Sequence, residues 1–324
     1  MLLFTNANRT QKKSMTSQSF NYEQAFERNL GWLTASEQSK LRKSCVAIAG
    51  LGGAGGFQVQ ALARLGVSRF KIADLDTFEL TNINRQIGAS IETLGHAKVP
   101  VIREMILSIN PEAEVTAFDG GITANTIDPF LESVDLAFDG IDFFTQKVKL
   151  LFFKKCREKG IPALTSCPLG FGASLIVFSP TGMNYEDYFD LREGMNEKEM
   201  RIACTLGLSP NPLCLPYMDK SALDLKGQRA SSVAPGLMLV AAISASEAVK
   251  ILTGKHSVQY APHVYQIDLL TQRMSRKFYP FGMRSPWQRF KKWFLFKLMN
   301  AQIYYLLRPR KPSDSEIAEQ VSRL

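Results

Sequence analysis

Short apolar runs alternate with amphipathic stretches through the first half of this chain. Such apolar runs predict buried strands, and apolar positions at a spacing of three to four residues predict helices. The predicted strands cover 45–50, 69–74, 114–118, 134–138 and 162–166, and the predicted helices cover 34–42, 57–65, 98–109 and 145–158. This alternation of strand, helix and strand predicts an α/β fold, Rossmann-like, with a doubly wound and mainly parallel sheet.

The pattern changes after Gly170. A further strand at 173–178 is followed by an irregular region, 180–230, rich in proline, asparagine and methionine. A loop of that length is usually functional, so we expect a crossover or lid region there. A long helix of small residues, 234–252, then precedes a terminal hairpin with strands at 262–268 and 272–278.

Composition divides the 324 residues into three parts. Residues 1–20 are polar and are expected to be disordered, 21–280 form the predicted domain, and 281–324 form a basic, aromatic tail. The chain has no signal peptide pattern and no uncharged run long enough to span a bilayer. The formal net charge of +9 favours an anionic ligand, RNA or a membrane surface.

Five cysteines are unevenly spaced, without a C-x-x-C pair. This spacing argues against a disulfide framework and against a tetrahedral zinc site, so we expect no zinc and a reducing, cytoplasmic location. Cys204 and Cys214 lie in the 180–230 region without an evident base or helix N-terminus beside them. We therefore expect both to be buried rather than reactive.

Glycines follow the first predicted strand in the sequence VAIAGLGGAGG, residues 46–56. Such a turn from a buried strand into a helix lets the backbone approach a phosphate, which the helix N-terminus can bind. The G-x-G-x-x-G spacing is met by Gly50, Gly52 and Gly55, with Gly53 between them. The spacing alone is shared by many nucleotide-binding proteins.

Polar residues follow the other strands at the edge where the strands end. They are Asp74, Asp76, Asn82, Arg85, Gln86, Lys98 and Asp142. A dinucleotide site needs an acidic residue for the ribose, but it does not need converging cations and a further carboxylate. A triphosphate does need them, because cations offset its charge and a carboxylate can hold Mg²⁺. The set therefore indicates ATP chemistry, and the chain has no P-loop motif.

These residues resemble a known family. The motifs G-L-G-G-A-G, D-L-D, N-x-N-R-Q, G-x-x-K and D-x-x-D occur in the order found in the ThiF/MoeB/HesA adenylyltransferases, relatives of ubiquitin-activating enzymes. The resemblance covers about four-fifths of the chain, residues 22–278. It implies ATP and Mg²⁺ as cofactors, a homodimer, and activation of a carboxylate as an acyl-adenylate.

The resemblance also implies roles for individual residues. Gly53 and its neighbours would hold the nucleotide and Asp74 the ribose, while Asn82, Arg85 and Gln86 would contact the phosphates. Lys98 would stabilise the charge that develops during transfer, and Asp142 would coordinate Mg²⁺. Arg28 matches an arginine that the family supplies from the partner subunit. Two acidic residues are left with other roles: Asp139 is expected to cap the helix at 143–158, and Asp76 either supports the site or caps a helix.

Several functions fit the sequence. The first is activation of the C-terminal carboxylate of a small ubiquitin-like or sulfur-carrier protein, or of a peptide, as in stand-alone bacterial ThiF-type proteins. The second is activation of a carboxylate on tRNA, as in the tRNA threonylcarbamoyladenosine dehydratase branch, which suits the basic charge. An NAD(P)-dependent oxidoreductase and a silent nucleotide-binding scaffold are further alternatives.

The tail contains an amphipathic pattern that begins at Pro286. Aromatic residues at helical spacing (287, 290, 293 and 294) would lie opposite a basic side that includes Arg289, Lys291 and Lys292. Either the helix packs its aromatic side chains on the domain or on a dimer mate, or it contacts a membrane interface through 286–307.

Overall fold

The computed structural model describes residues 19–219 and 231–300, without the side chains of 298–300. The predicted disorder of 1–20 therefore falls almost wholly outside the described residues, as do part of the 180–230 region and the tail from residue 301 onward. The division at residue 281 stays a prediction.

The elements alternate as the sequence pattern predicts. The helices are α1 Tyr22–Ala25, α2 Ala35–Lys43, α3 Gly53–Arg64, α4 Lys98–Ile109, α5 Ile127–Phe130, α6 Gln146–Glu158, α7 Tyr185–Phe189, α8 Glu197–Leu208, α9 Ala234–Thr253 and α10 Pro286–Asn300. The strands are β1 Cys45–Ala49, β2 Arg69–Ala73, β3 Glu114–Phe118, β4 Leu136–Asp139, β5 Ala163–Leu169, β6 Gly172–Phe178, β7 His263–Asp268 and β8 Arg273–Phe278.

The strands form one sheet in the order β3-β2-β1-β4-β5-β6-β7-β8. The first five strands in this order are parallel, and β6, β7 and β8 continue the sheet in antiparallel pairs. The predicted doubly wound, mainly parallel sheet with a terminal hairpin is confirmed. The chain leaves β1 toward β2 and β3, and later returns to place β4 on the other side of β1. The carboxyl ends of β1 and β4 therefore border a topological switch point, where doubly wound sheets bind ligands.

Both faces of the sheet are covered, as the apolar strands require. Along β1, Val46 and Ile48 belong to one buried cluster with residues of α3, α4 and α9. Ala47 and Ala49 belong to a second buried cluster with residues of α5, α6, α7 and α8. The alternation follows from the two-residue period of a strand and fixes β1 at the centre of the fold.

The 180–230 region is not irregular where it is described, and this prediction was wrong. It contains α7 and α8, and α8 begins with a capping box in which Asn196 accepts from the Glu199 backbone N–H. Tyr188 and Phe189 of α7 are fully buried in the core. These helices cover the sheet beside α6, so the described part of the region is a layer of the domain.

The helix α9 is the described helix that is long and apolar enough to cross a membrane by length and composition. It packs against α3, β5 and β6, and eight of its residues are buried, which is the arrangement of a core helix. The predicted appended helix is also present as α10, which contacts α8 and the turn at 282–284. The helix α2 begins with a capping box, in which Thr34 and Glu37 are bonded to each other's backbone N–H groups.

Candidate functional site

The glycine loop brings β1, β4 and α3 into direct backbone contact. Gly50 has a φ of +89°, and a Cβ atom there would overlap the Gly140 carbonyl oxygen that follows β4. A Cβ atom on Gly55 would in turn overlap the Gly50 carbonyl oxygen. The helix α3 starts at Gly53, inside the glycine run, and not at the predicted residue 57. Its free N–H groups therefore lie directly at the switch point.

Asp74 is bonded to this loop. One of its carboxylate oxygens accepts from the Leu51 N–H at 2.6 Å, and the other accepts from the Asp76 N–H at 2.8 Å. The side chain is 8% exposed. Asp74 is thus held at the end of β2 against the loop, which is where an acidic residue can reach a nucleotide ribose.

A lysine is buried beside this aspartate. Lys98, the first residue of α4, is 5% exposed, and its Nζ lies 2.9 Å from Asp76 Oδ2 and 4.0 Å from Asp74 Oδ1. Asp76 makes no side-chain cap at α4, whose N-cap is Ala97. Of the two roles expected for Asp76, support of the site or a helix cap, the structure therefore shows a contact that holds Lys98. The three charged groups form a cluster with one cation between two carboxylates.

The segment 82–86 lies against the glycine loop. A Cβ atom on Gly53 would lie 3.4 Å from the Arg85 carbonyl oxygen, and one on Gly52 would lie 3.7 Å from Gln86 Nε2. Gln86 is 9% exposed, and its buried Oε1 has no hydrogen-bond partner among the described residues. A buried amide oxygen without a hydrogen-bond partner costs free energy. The position of Gln86 Oε1 beside the loop therefore suits a site that binds a polar ligand.

The other side chains of this segment are held by local contacts. Asn82 is buried and accepts from the Glu79 N–H at 3.1 Å. The Arg85 guanidinium donates to the Thr81 carbonyl oxygen at 2.6 Å and to Asn84 Oδ1 at 3.1 Å. The guanidinium is therefore held by residues of its own segment, and this segment lies beside the loop.

Asp142 lies just beyond β4, two residues after Gly140. It is exposed, and one of its oxygens accepts from the Phe144 N–H at 3.2 Å. No group of three or more metal-ligating side chains occurs among residues 19–219 and 231–300. A single exposed carboxylate nevertheless fits Mg²⁺, because this ion is usually held by one or two carboxylates together with substrate phosphates.

Asp139 does not cap α6, so that prediction was wrong. Its carboxylate is buried at the end of β4 and accepts from Lys149 Nζ at 2.7 and 2.8 Å and from Thr165 Oγ1 at 2.8 Å. The N-cap position of α6 is occupied by Thr145. Asp139 and Lys149 thus form a satisfied buried ion pair under the site. No sequence signal identifies Lys149, because its partner comes from a strand and not from its own helix.

Arg28 is the predicted site residue that the structure does not bring to the loop. It is exposed on a 3-10 turn, Glu27–Asn29, and lines a cavity of about 810 Å³. The other walls of that cavity come mainly from α9, the segment 255–259, β6 and β7, and none of the glycine-loop residues takes part. Within one chain, Arg28 therefore belongs to a different surface.

Both cysteines of the 180–230 region are buried, as predicted. Burial raises the pKa of Cys204 to about 12, and its thiol lies 3.0 Å from Gln146 Oε1 as a donor. Burial also raises the pKa of Cys214. Since the thiolate is the nucleophilic form, neither group has the environment of a reactive cysteine.

A glycine loop, an aspartate at the end of β2 and a buried lysine at the switch point are typical of the class of doubly wound α/β nucleotide-binding proteins. Comparison with known families then identifies the family, because the ThiF family profile matches residues 26–284. The chain belongs to the ThiF family, and the resemblance drawn from its motifs is confirmed.

Curated relatives match part of the chain. The tRNA threonylcarbamoyladenosine dehydratase of Bacillus subtilis is 39% identical over 127 residues, which are 39% of this chain and 49% of that protein. The sulfur carrier protein ThiS adenylyltransferase of Escherichia coli is 30% identical over 143 residues, which are 44% of this chain and 56% of that protein. The chain spans about half the length of the curated relatives it matches.

The same fold occurs in solved structures. Escherichia coli MccB with ATP has a TM-score of 0.57 at 20% identity, covering 78% of this chain and 68% of that chain. PaaA has a TM-score of 0.58 at 19% identity, covering 83% of this chain and 77% of that chain. At this identity the likeness establishes the fold.

Proposed function

We propose that this chain is an ATP-dependent adenylyltransferase that activates a carboxylate as an acyl-adenylate. The observation that carries the proposal is the charged cluster of Asp74, Asp76 and Lys98 beside the glycine loop, with Gln86 and Asp142 at the same edge. Family membership supports it, as does the occurrence of ATP in the MccB structure of the same fold.

Each group has a task in such a reaction. A carboxylate oxygen of the substrate bonds to the α-phosphorus of ATP, while the bond from that phosphorus to the bridging oxygen breaks and pyrophosphate leaves. The loop and the N-terminus of α3 offer N–H groups to the phosphates. Lys98, with Arg85 from the adjoining segment, offsets the growing negative charge. Such stabilisation is strongest when the donors are held in place before the reaction begins. A magnesium ion bound at Asp142 would supply further charge neutralisation.

Sequence relatives favour a carboxylate carried by tRNA as the substrate. Three curated relatives at 34–39% identity are tRNA threonylcarbamoyladenosine dehydratases. The net charge of +9 suits a polyanionic partner. We therefore rank this substrate above the protein carboxylate that the sequence motifs first favoured.

A protein or peptide carboxylate is the second substrate that we propose. A relative is named as an adenylyltransferase of the sulfur carrier ThiS, and a structure of the same fold contains MccB with the peptide MccA. We further propose a cytoplasmic homodimer in which Arg28 reaches the partner's loop, because Arg28 is exposed and lies on a different surface from its own loop.

Exchange of labelled pyrophosphate into ATP tests the proposal. The exchange should require Mg²⁺ and one carboxylate substrate, tested as tRNA bearing threonylcarbamoyladenosine, a sulfur-carrier protein and a peptide. Lys98→Ala and Asp142→Ala should each lower the exchange at least about 100-fold, because each removes charge stabilisation in a preorganised site. Lys155→Ala is the matched control, since Lys155 pairs with exposed acids on the far side of α6. Full activity in both site variants would exclude adenylylation at this loop, and reduced-cofactor absorbance changes without Mg²⁺ would instead indicate an oxidoreductase.

A further inference from the structure

The helix α10 is attached to the domain by its charged side. Its contacts include Lys292 Nζ, 2.6 Å from Asp190 Oδ2, and the Arg289 guanidinium, 3.3 Å from Asp190 Oδ1. Lys291 Nζ also donates to the Pro210 carbonyl oxygen at 3.2 Å. Of the alternatives for this helix, packing of its aromatic side on the chain's own domain is therefore not found among the described residues.

The aromatic side chains point outward instead. Trp287, Phe290, Trp293 and Phe294 are 51–62% exposed. At 100° per residue these four positions and Lys297 fall within an arc of about 120°. Phe290 stacks with Trp287, Trp293 and Phe294 at centroid distances of 5.7, 5.9 and 6.5 Å. We call these four rings the aromatic face.

A continuous aromatic surface of this kind marks an interaction site, because an exposed apolar patch of adjacent large side chains is costly in water. The surrounding charge identifies the partner. Positions 284–311 contain eight lysines and arginines and no acidic residue. Three cations share the carboxylate of Asp190 and Arg284 pairs with Asp187, so the cations in these contacts outnumber the carboxylates.

We propose that the aromatic face docks α10 into the headgroup layer of an anionic lipid bilayer. Tryptophan is favoured at the membrane interface, and interfacial helices combine basic residues with Trp, Phe and Leu on the apolar side. Lys297 lies at the C-terminal end of the face with its Nζ 4.6 Å from the Trp293 ring centroid, so its ammonium group can meet a lipid phosphate while the ring enters the interface. The 15 described residues of α10 include four cations, which suits a helix that lies along the surface.

Two other partners fit the face less well. A second copy of the chain on this face would bury the Lys297 ammonium group, which lies over the Trp293 ring, in an apolar contact, and burying a charge that is not paired is costly. An RNA would need cations in front of the rings, but Arg289 and Lys292 are turned toward Asp190. The membrane proposal does not depend on the adenylyltransferase proposal.

Vesicle flotation of the full chain tests it. The chain should float with phosphatidylcholine vesicles that contain 30% phosphatidylglycerol, and it should float much less with pure phosphatidylcholine. The double variant Trp293→Ser/Phe294→Ser should lower vesicle binding at least about tenfold, because apolar area is removed from the contact. Leu269→Ser/Leu270→Ser, which removes two similarly exposed apolar side chains from the β7–β8 turn, should bind like the unmodified chain. Unchanged thermal unfolding would show that all variants fold.

Tryptophan emission gives a second measurement. The chain has three tryptophans, so Trp32→Phe leaves Trp287 and Trp293 as reporters on the aromatic face. Their emission should be that of exposed indole in buffer and should shift to shorter wavelength with the anionic vesicles. Equal flotation of the aromatic variant and the unmodified chain would overturn the proposal. So would emission that is already blue-shifted in buffer, self-association through the face, or loss of tRNA binding in place of vesicle binding.

Discussion

Gly50 lies where the carboxyl ends of β1 and β4 come closest. Its φ is +89°, and a Cβ atom would overlap the Gly140 carbonyl group. Alanine would therefore meet both an unfavourable backbone conformation and a clash with backbone that cannot rotate away. We expect Gly50→Ala to lower the free energy of unfolding by more than about 3 kcal/mol, or to prevent folding, as measured by chemical denaturation.

Gly160, just after α6, separates these two effects. Its φ is +71°, but a Cβ atom would have no neighbour within 4 Å. Gly160→Ala should therefore cost only about 1 kcal/mol, the cost of the left-handed conformation alone. Equal destabilisation by the two alanines would contradict the close approach of β1 and β4.

For individual residues, the sequence predicted the positions of those that depend on the sheet alone. Asp74 and Asp142 follow parallel strands, and the carboxyl ends of parallel strands share one edge. Asp139 was assigned wrongly, because its role depends on how α6 packs. The packing brings Lys149 under β4, and the pair becomes a buried structural contact. The hydrophobic periodicity of the sequence does not show that Lys149 of α6 lies beside Asp139 of β4.

The helices α7 and α8 were not predicted, because the residue composition of their region is that of a loop. Their region is rich in residues typical of loops, but two asparagines in it, Asn184 and Asn196, are N-caps. For α10 the sequence predicted the helix and its two sides. It could not show which side faces the domain, because the deciding contact is the carboxylate of Asp190, about 100 positions away in sequence.

The carboxylate of Asp190 holds α10 against the layer that α7 and α8 form. Burial acts to raise the pKa of its carboxyl group, but the hydrogen bonds and charges of Lys292, Arg289 and Arg192 outweigh burial and lower it. Asparagine has the same size and tolerates the left-handed φ of +55° found there. Asp190→Asn therefore tests the charge, and we expect it to lower the free energy of unfolding by about 2 kcal/mol at pH 7.

The pH dependence of that difference has a defined sign. A lowered pKa in the folded state stabilises the fold above the ordinary pKa, about pH 4, and the stabilisation is lost as the pH falls through the lower folded value. The gap between the unmodified chain and Asp190→Asn, measured by thermal unfolding, should be constant from pH 7 to about 5 and should close below pH 4. Asp128→Asn, which removes an exposed carboxylate beside two lysines, should change stability much less. A gap that persists at pH 2.5 would show that charge is not what holds the helix.

Three surfaces with proposed functions lie at different places on the molecule. The charged cluster lies at the carboxyl edge of the parallel strands, and the aromatic face lies outside α7 and α8. Arg28 lines a third surface formed mainly by α9, the segment 255–259, β6 and β7. A single chain therefore has the glycine loop without Arg28, and the proposed homodimer is the arrangement in which two chains exchange this arginine.

Mixing two inactive variants tests that exchange. In a dimer of one Arg28→Ala chain and one Lys98→Ala chain, the loop with intact Lys98 receives intact Arg28 from its partner. The other loop has neither residue. Random reassociation after mild denaturation should make half of the dimers mixed, so pyrophosphate exchange should recover to about a quarter of the unmodified activity.

A second mixture distinguishes true complementation from partial activity of the variants. Lys98 and Asp142 lie at the same edge of one chain, so a dimer of Lys98→Ala with Asp142→Ala has two defective loops. That mixture should stay inactive under the same treatment. If the Arg28 mixture also stays inactive while both chains form mixed dimers, Arg28 acts within its own chain, whereas full activity of Arg28→Ala alone would show that Arg28 has no part in the reaction. The structure argues against the first of these outcomes, because none of the glycine-loop residues lines the cavity in which Arg28 lies.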